Sequence, residues 1–276
     1  MFVNSRSDFA DEIVLKKSKD IKKITKKFSD MKMTIIDILN DNNIYNKDKG
    51  RYISIDFDNL VDEPIRKKIS SLLVESLRAL YRIKKKDKVL IVGLGNQKII
   101  ADSLGPNVAD KIVVTNHLFK LFPNNMAKDL KRVCVFTPKV MGQTGLESAD
   151  LIVAVTNLFK PNVIIVIDAL ASSSITRINK VIQLSDTGIA PGSGVGNHRK
   201  EINEKTLNTK VIAIGVATVV EATQIIKELD KKIQIPDNQS YSLVLTPKEI
   251  DEDVEHLSTI IADSINKYIH NDFEFM

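Results

Sequence analysis

The chain carries one cysteine, Cys134, in 276 residues. That single thiol excludes an internal disulfide and every cysteine-rich zinc arrangement. It lies in "RVCVF" (132–136), an apolar run that reads as a strand, where a thiol is a buried and inert side chain. No apolar run approaches the roughly 18–20 residues of a membrane span. The N-terminus, "MFVNSRSDFADEIVLKK", lacks the basic start and apolar core of a secretory signal. A cytoplasmic protein with no membrane partner is therefore expected. Charge of one sign is also scarce in excess: 40 basic against 35 acidic residues leave a net +5. The lysine runs at 15–28 and 82–88 lack interleaved aromatic or arginine contacts, so no direct nucleic-acid partner is indicated. His-Glu-x-x-His, Gly-x-x-x-x-Gly-Lys-Ser/Thr and a nucleophile elbow are all missing, and the four histidines show no metal-ligand spacing. No cofactor and no metal are expected.

What is present is a change of pattern at residue 88. Before it lie a polar, lysine-rich stretch with a helix expected near 16–40, a strand at 51–57 and a helix at 63–83. After it, short apolar runs at 88–96, 111–119, 132–136, 162–170 and 210–216 read as buried strands. Helical segments at 145–160 and 218–232 alternate with them. A terminal helix over 246–270 has Thr246 as N-cap, Pro247 at its first position and Glu249 as capping-box carboxylate. This alternation predicts an α/β fold, a mainly parallel open sheet flanked by helices. The division is 1–87, an N-terminal extension, and 88–276, an α/β core with its C-terminal helix, together one compact domain.

Two features invite chemistry. "SDTGIAPGSGVGN" (185–197) contains the Asp-Thr-Gly of pepsin-like proteases and a glycine loop. Pepsin-like folds are sheet-dominated, however, and the alternating pattern leaves Asp186 as a turn residue. Neither "VGLGNQ" (92–97) nor "PGSGVGN" completes a nucleotide fingerprint, but such glycines let backbone N–H groups approach an extended peptide. The second feature is a pair of acids. Asp168 ends the apolar run "VIIVI", and Asp102 lies in the loop leaving another strand. Loops after parallel strands open on one sheet edge, so the two can meet in one crevice. There one carboxylate would activate water while the other, protonated, donates to a carbonyl. A helix cap at Asp168 and a turn contact at Asp102 remain the alternative, as does a composite metal site with His117.

"GLGN" (93–96), "DSLGP" (102–106), "HLF" (117–119), "VMGQTGLES" (140–148), "VIIVIDALA" (163–171), "SDTGIAPGSGVGNHRKE" (185–201), "VIAIGVATVVEA" (211–222) and "TPKEID" (246–251) occur in that order. Together they resemble the germination (spore) protease family, strongly over residues 88–225 and more loosely outside. The resemblance implies an endopeptidase of small acid-soluble spore proteins, made as a self-processing zymogen and assembling as a homotetramer in the spore cytoplasm. It implies a fold similar to hydrogenase-maturation peptidases and an atypical aspartic mechanism at Asp102 and Asp168. Gly93, Gly95, Asn96, Asp186, Gly192, Gly194 and Gly196 are then expected to position substrate. Family cleavage sites are short acidic-hydrophobic stretches, and "SDFADEI" (7–13) is similar, which predicts processing between Ser7 and Asp8. The chain departs from the family pattern at Asn116, Ser173, Ala190 and His198. A metal-dependent peptidase using the same acids, and a non-catalytic paralogue that binds spore proteins, are the competing readings.

Overall fold

The computed structural model describes residues 7–13, 19–43, 45, 47–122, 130–192, 199–229 and 243–270. Among the described residues nine strands form one mixed sheet, and its centre follows from the apolar runs. Four strands are parallel: β4 (Lys88–Gly93), β5 (Arg132–Phe136), β6 (Val163–Ser172) and β8 (Lys210–Glu221). Their side chains alternate between two covered faces, which is why these runs are apolar without interruption. Val89, Ile91, Ile165 and Ile167 face one core, while Leu90, Val92, Ile164 and Val166 face the other.

Helix α2 (Glu63–Leu80) packs on the first face together with α3 (Leu104–Asp110) and the long terminal helix, described below. Buried Ile69, Leu73 and Leu77 recur on α2 at helical spacing, each contributing about 1.5–3 kcal/mol by leaving water. On the second face lie α6 (Ser148–Phe159) and the short α7 (Glu204–Leu207), through Ile152 and Leu207. Three further helical pieces are short: α1 (Ala10–Ile13), α4 (Asn116–Leu121) and α5 (Met141–Thr144).

The expected α/β sheet flanked by helices is present, and antiparallel strands extend its four parallel ones. Antiparallel β7 (Val181–Ser185) flanks β8, followed by β3 (Gly50–Phe57), β2 (Met31–Ile38) and β1 (Ile21–Lys27). The lysine-rich stretch near 16–40 is thus a hairpin where a helix was expected. Its β-branched Ile and Thr residues favour strands, and β2 buries Met31, Met33, Ile36 and Ile38. β1 is the exposed edge, and its lysines face solvent as edge-strand charges do.

Three other boundaries differ. Residues 111–119 form no strand: Ile112 is buried in a loop, and the Thr115 hydroxyl spends its bonds on the Lys131 carbonyl and the Val133 N–H. The last parallel strand runs on to Glu221, where β9 (Val244–Leu245) pairs with it. The following helix, α8 (Ala222–Leu229), therefore starts four residues later than expected. The terminal helix α9 (Ile250–His270) begins after the anticipated cap, because Thr246 donates its hydroxyl to the Thr218 carbonyl. Among the described residues, no helix is long and apolar enough to cross a membrane.

Candidate active site

The connection from β4 leads to β5 on one side, whereas the connection from β6 leads through β7 to β8 on the other. The sheet therefore has a topological switch point between the C-terminal ends of β4 and β6, where ligands bind in open α/β sheets. Asp168 and Asp102 come from those two ends. Asp168 continues the face of Ile164 and Val166 and is 5% exposed. Its Oδ1 accepts the Ala169 N–H at 3.0 Å. Asp102 ends a single 3-10 turn (Ile100–Asp102), and its Oδ2 accepts the Asn96 N–H at 2.9 Å.

Local sequence explains the placement of Asp102. Gly95 holds φ +116°, and a Cβ there would stand 2.0 Å from the Asp102 carbonyl oxygen, so only glycine lets the loop fold back onto itself. Asn96 donates its N–H to that same carbonyl as well as to the carboxylate. Gly93, at the end of β4, lies against the backbone of Gly105. Of the residues expected to position substrate, Gly93, Gly95 and Asn96 thus build the Asp102 loop.

The electrostatics join the two acids. Burial pushes the Asp168 carboxyl well above the ordinary aspartate range, and the charges of Asp102 and Asp8 push it further. Burial also raises Asp102, against the pull of the Asn96 N–H and of Arg199. Arg199 acts in the same sense on Asp168, a cation the sequence reading did not single out although it stands in the "HRKE" of the signature. The charge of Asp102 thus opposes ionisation of Asp168, on top of burial. Among the described residues no group of three or more His, Cys, Asp or Glu side chains could hold a metal, and His117 is exposed.

The rest of the signature divides. Asp186 is drawn away from the pair: it follows Ser185, which pairs with Ala213, whereas Asp168 pairs with Gly215 two strands across. Its Oδ1 accepts the Arg51 N–H at 2.7 Å, and its Oδ2 stands 3.7 Å from Lys210 Nζ at the start of β8. It closes the β3–β7 end of the sheet, because its carboxylate satisfies the Arg51 N–H near the start of β3. Gly192 sits in a turn at φ +72°, while Gly194 and Gly196 lie outside the described residues.

The crevice is not open to its full length. Beyond Ile167, β6 has no β4 neighbour, and residues 7–12 lie along that free edge. Asp8 donates its N–H to the Ala171 carbonyl at 3.1 Å and accepts the Ala171 N–H on Oδ2 at 3.0 Å. Its carbonyl accepts from Lys47 Nζ at 3.0 Å. Phe9, fully buried, fills a pocket of Leu170, Val181 and Ala217. The sequence flagged this segment only as a processing site; its docking was hidden because Lys47, Arg177 and Gln183, which hold it, carry no motif.

The raised Asp168 carboxyl makes a stability prediction. The folded state binds a proton that the unfolded chain releases above about pH 4, so stability is lost as pH rises from there through the raised value. Asp168→Asn keeps the shape and never ionises. It is expected to raise the Tm at about pH 7 and to leave it unchanged at about pH 4. Thermal melts of both proteins across that range check this; a variant less stable at neutral pH contradicts it.

A family model described as Germination protease matches residues 1–234. The germination protease of Clostridium tetani (strain Massachusetts / E88) is 38% identical over 271 residues, covering 86% of this chain and 84% of that protein. That of Bacillus subtilis (strain 168) is 41% identical over 217 residues, covering 75% of this chain and 59% of that protein. Among solved structures, the [NiFe] hydrogenase maturation protease HycI from Thermococcus kodakarensis KOD1 matches with TM-score 0.37 and 19% identity. It covers 69% of this chain and 98% of that one.

Proposed function

Since this chain belongs to the germination protease family, we propose that it is an endopeptidase of small acid-soluble spore proteins, working through the Asp102–Asp168 pair and made as a self-processing zymogen. The observation that carries this reading is the convergence of two acids with raised pKa values at the switch point, with a peptide segment of the chain's own along the adjoining strand edge.

The roles follow from the environments. Asp168 is the more deeply buried acid and holds the proton; Asp102, hydrogen-bonded to Asn96, is the ionised member. Asp102 takes a proton from water as the oxygen bonds to the scissile carbonyl carbon, and Asp168 gives its proton to the carbonyl oxygen. The carbon–nitrogen bond of the resulting gem-diol then breaks. The proton held by Asp102 passes to the leaving nitrogen, and one hydroxyl proton returns to Asp168. Gly93, Gly95 and Asn96 serve this by fixing the Asp102 loop, and Arg199 balances the charge of the pair.

In the zymogen, residues 7–12 occupy the peptide site, and the bond cut is Ser7–Asp8. Purified protein incubated until active is expected to show a new N-terminus at Asp8 by intact-mass measurement. Full activity with Met1 or Phe2 retained throughout overturns the self-processing part of the proposal.

A further inference from the structure

Residues Asp8 to Glu12 are held one by one. The Phe9 ring lies 5.1 Å beneath the Arg177 guanidinium. Ala10 donates its N–H to Gln183 Oε1 at 2.8 Å. Asp11 accepts from the Ser54 hydroxyl at 3.0 Å and from both terminal nitrogens of Arg177, at 3.2 and 2.9 Å. Glu12 accepts from Arg177 Nη1 at 2.9 Å, the Ser172 hydroxyl at 2.5 Å, and the Ser173 N–H and hydroxyl at 2.8 and 2.6 Å, as well as from Ser7. Burial works to raise the Glu12 carboxyl, yet the donors of Ser172, Ser173 and Ser7 hold it below the ordinary glutamate range.

So much charge is rarely sequestered without cause. The side chains of Asp11 and Glu12 are 8% and 7% exposed, and that of Arg177 is 14% exposed. Arg177 also bonds Asp56 on β3 through Nε at 2.9 Å, which fixes the plane of the guanidinium from behind and leaves its two outer nitrogens facing the segment. A planar fork held this way reads carboxylates by geometry as well as charge. The groove is thus shaped for an apolar residue, a small residue and two acids in succession.

We infer that Arg177 is a specificity-determining residue of this peptidase: it selects peptides with acids at the two positions occupied here by Asp11 and Glu12, with Ser172 and Ser173 completing the second of those subsites. The inference rests on the reading of the crevice as a peptidase site. It also makes residues 8–12 a competitor from within the same chain. That competition lowers the cleavage of every added peptide by a common factor, so ratios between peptides stay informative.

The test uses the full chain and a synthetic peptide copying residues 3–13, alongside the same peptide carrying Asp11→Asn and Glu12→Gln. Wild type is expected to cut the parent with kcat/KM roughly 10- to 100-fold above the amidated form. In Arg177→Gln the ratio is expected to fall to within about 3-fold. Lys32 Nζ, 3.3 Å from Asp56 Oδ2, still faces Asp56 in that variant. Should Arg177→Gln fail to fold, Arg177→Lys, which keeps the charge and loses the fork, is expected to give an intermediate ratio. Equal cutting of both peptides by wild type, or a ratio unmoved by replacing Arg177, overturns the inference and leaves the peptidase reading intact. If wild type cuts neither peptide, the peptidase reading fails, and binding of the fluorescein-labelled peptides decides. A preference for the acidic form that Arg177→Gln removes sustains the inference, and equal binding ends it.

Discussion

Asp102→Asn and Asp168→Asn are each expected to cut the rate of spore-protein cleavage by about 10²- to 10⁴-fold, the range that a positioned acid or base supplies. Self-processing at the N-terminus should fall with it. Each change removes a titratable carboxyl at nearly constant shape. The Asn96 N–H to Oδ2 and the Ala169 N–H to Oδ1 can still find an amide oxygen after rotation of the side chain. Folding should therefore survive, and melting curves check it. On the proposed mechanism the two groups act as a unit, so the double variant is expected to be hardly worse than either single one. Cleavage followed by mass spectrometry on a small acid-soluble spore protein decides the matter. A folded Asp168→Asn protein cutting at the wild-type rate would remove the pair from the chemistry.

The second large effect concerns the backbone that brings the acids together. A Cβ on Gly105 would stand 2.2 Å from the Leu94 carbonyl oxygen, 2.5 Å from the Leu94 nitrogen and 2.7 Å from the Ile167 carbonyl oxygen. These are main-chain atoms at the ends of β4 and β6, and Leu94 N–H donates to the Ile167 carbonyl at 2.8 Å between them. None can swing aside as a side-chain tip can. Gly105→Ala must push α3 away from the sheet and carry Asp102 with it. It is expected to cost at least about 3 kcal/mol, the upper end for overpacking, and most of the activity. Gly142→Ala is the control: nothing lies within 4 Å of its Cβ, so its effect is expected to stay within about 0.5 kcal/mol. Chemical denaturation of both variants measures the difference; equal stabilities contradict the packing argument.

The legible part of this fold lies where one interaction dominates. The four parallel strands could be read because both faces are covered, and their residues are then apolar without relief. Asp168 stood out for the same reason, as a charge that ends such a run, and Asp102 as an acid in the loop leaving another strand. The hairpin at 21–38 misled because a solvated strand face and a solvated helix face are both rich in lysine, and only the partner strand distinguishes them. Asp186 shows another gap. Its neighbours match a signature, but β7 is antiparallel to β8, so the strand delivers its end away from the crevice. A single sequence carries no sign of strand direction. The acids' counterparts, Arg177 and Lys47, were invisible because nothing in their own surroundings is repeated or spaced. They gain meaning only when residues about 165 and 39 positions distant fold onto them.

The docked segment lies on the C-terminal side of the proposed cut, so hydrolysis alone does not eject it. Scission at Ser7–Asp8 would turn the Asp8 amide nitrogen, now donating to the Ala171 carbonyl, into an ammonium group. That new cation would arise near Asp168, whose ionisation the charges of Asp102 and Asp8 oppose in the intact chain. A cation there favours ionised carboxyls, so the freshly cut end would hold its groove at least as firmly as before. Under the self-processing proposal, maturation would then have two separate barriers, one chemical and one mechanical, and crossing the first would not lower the second.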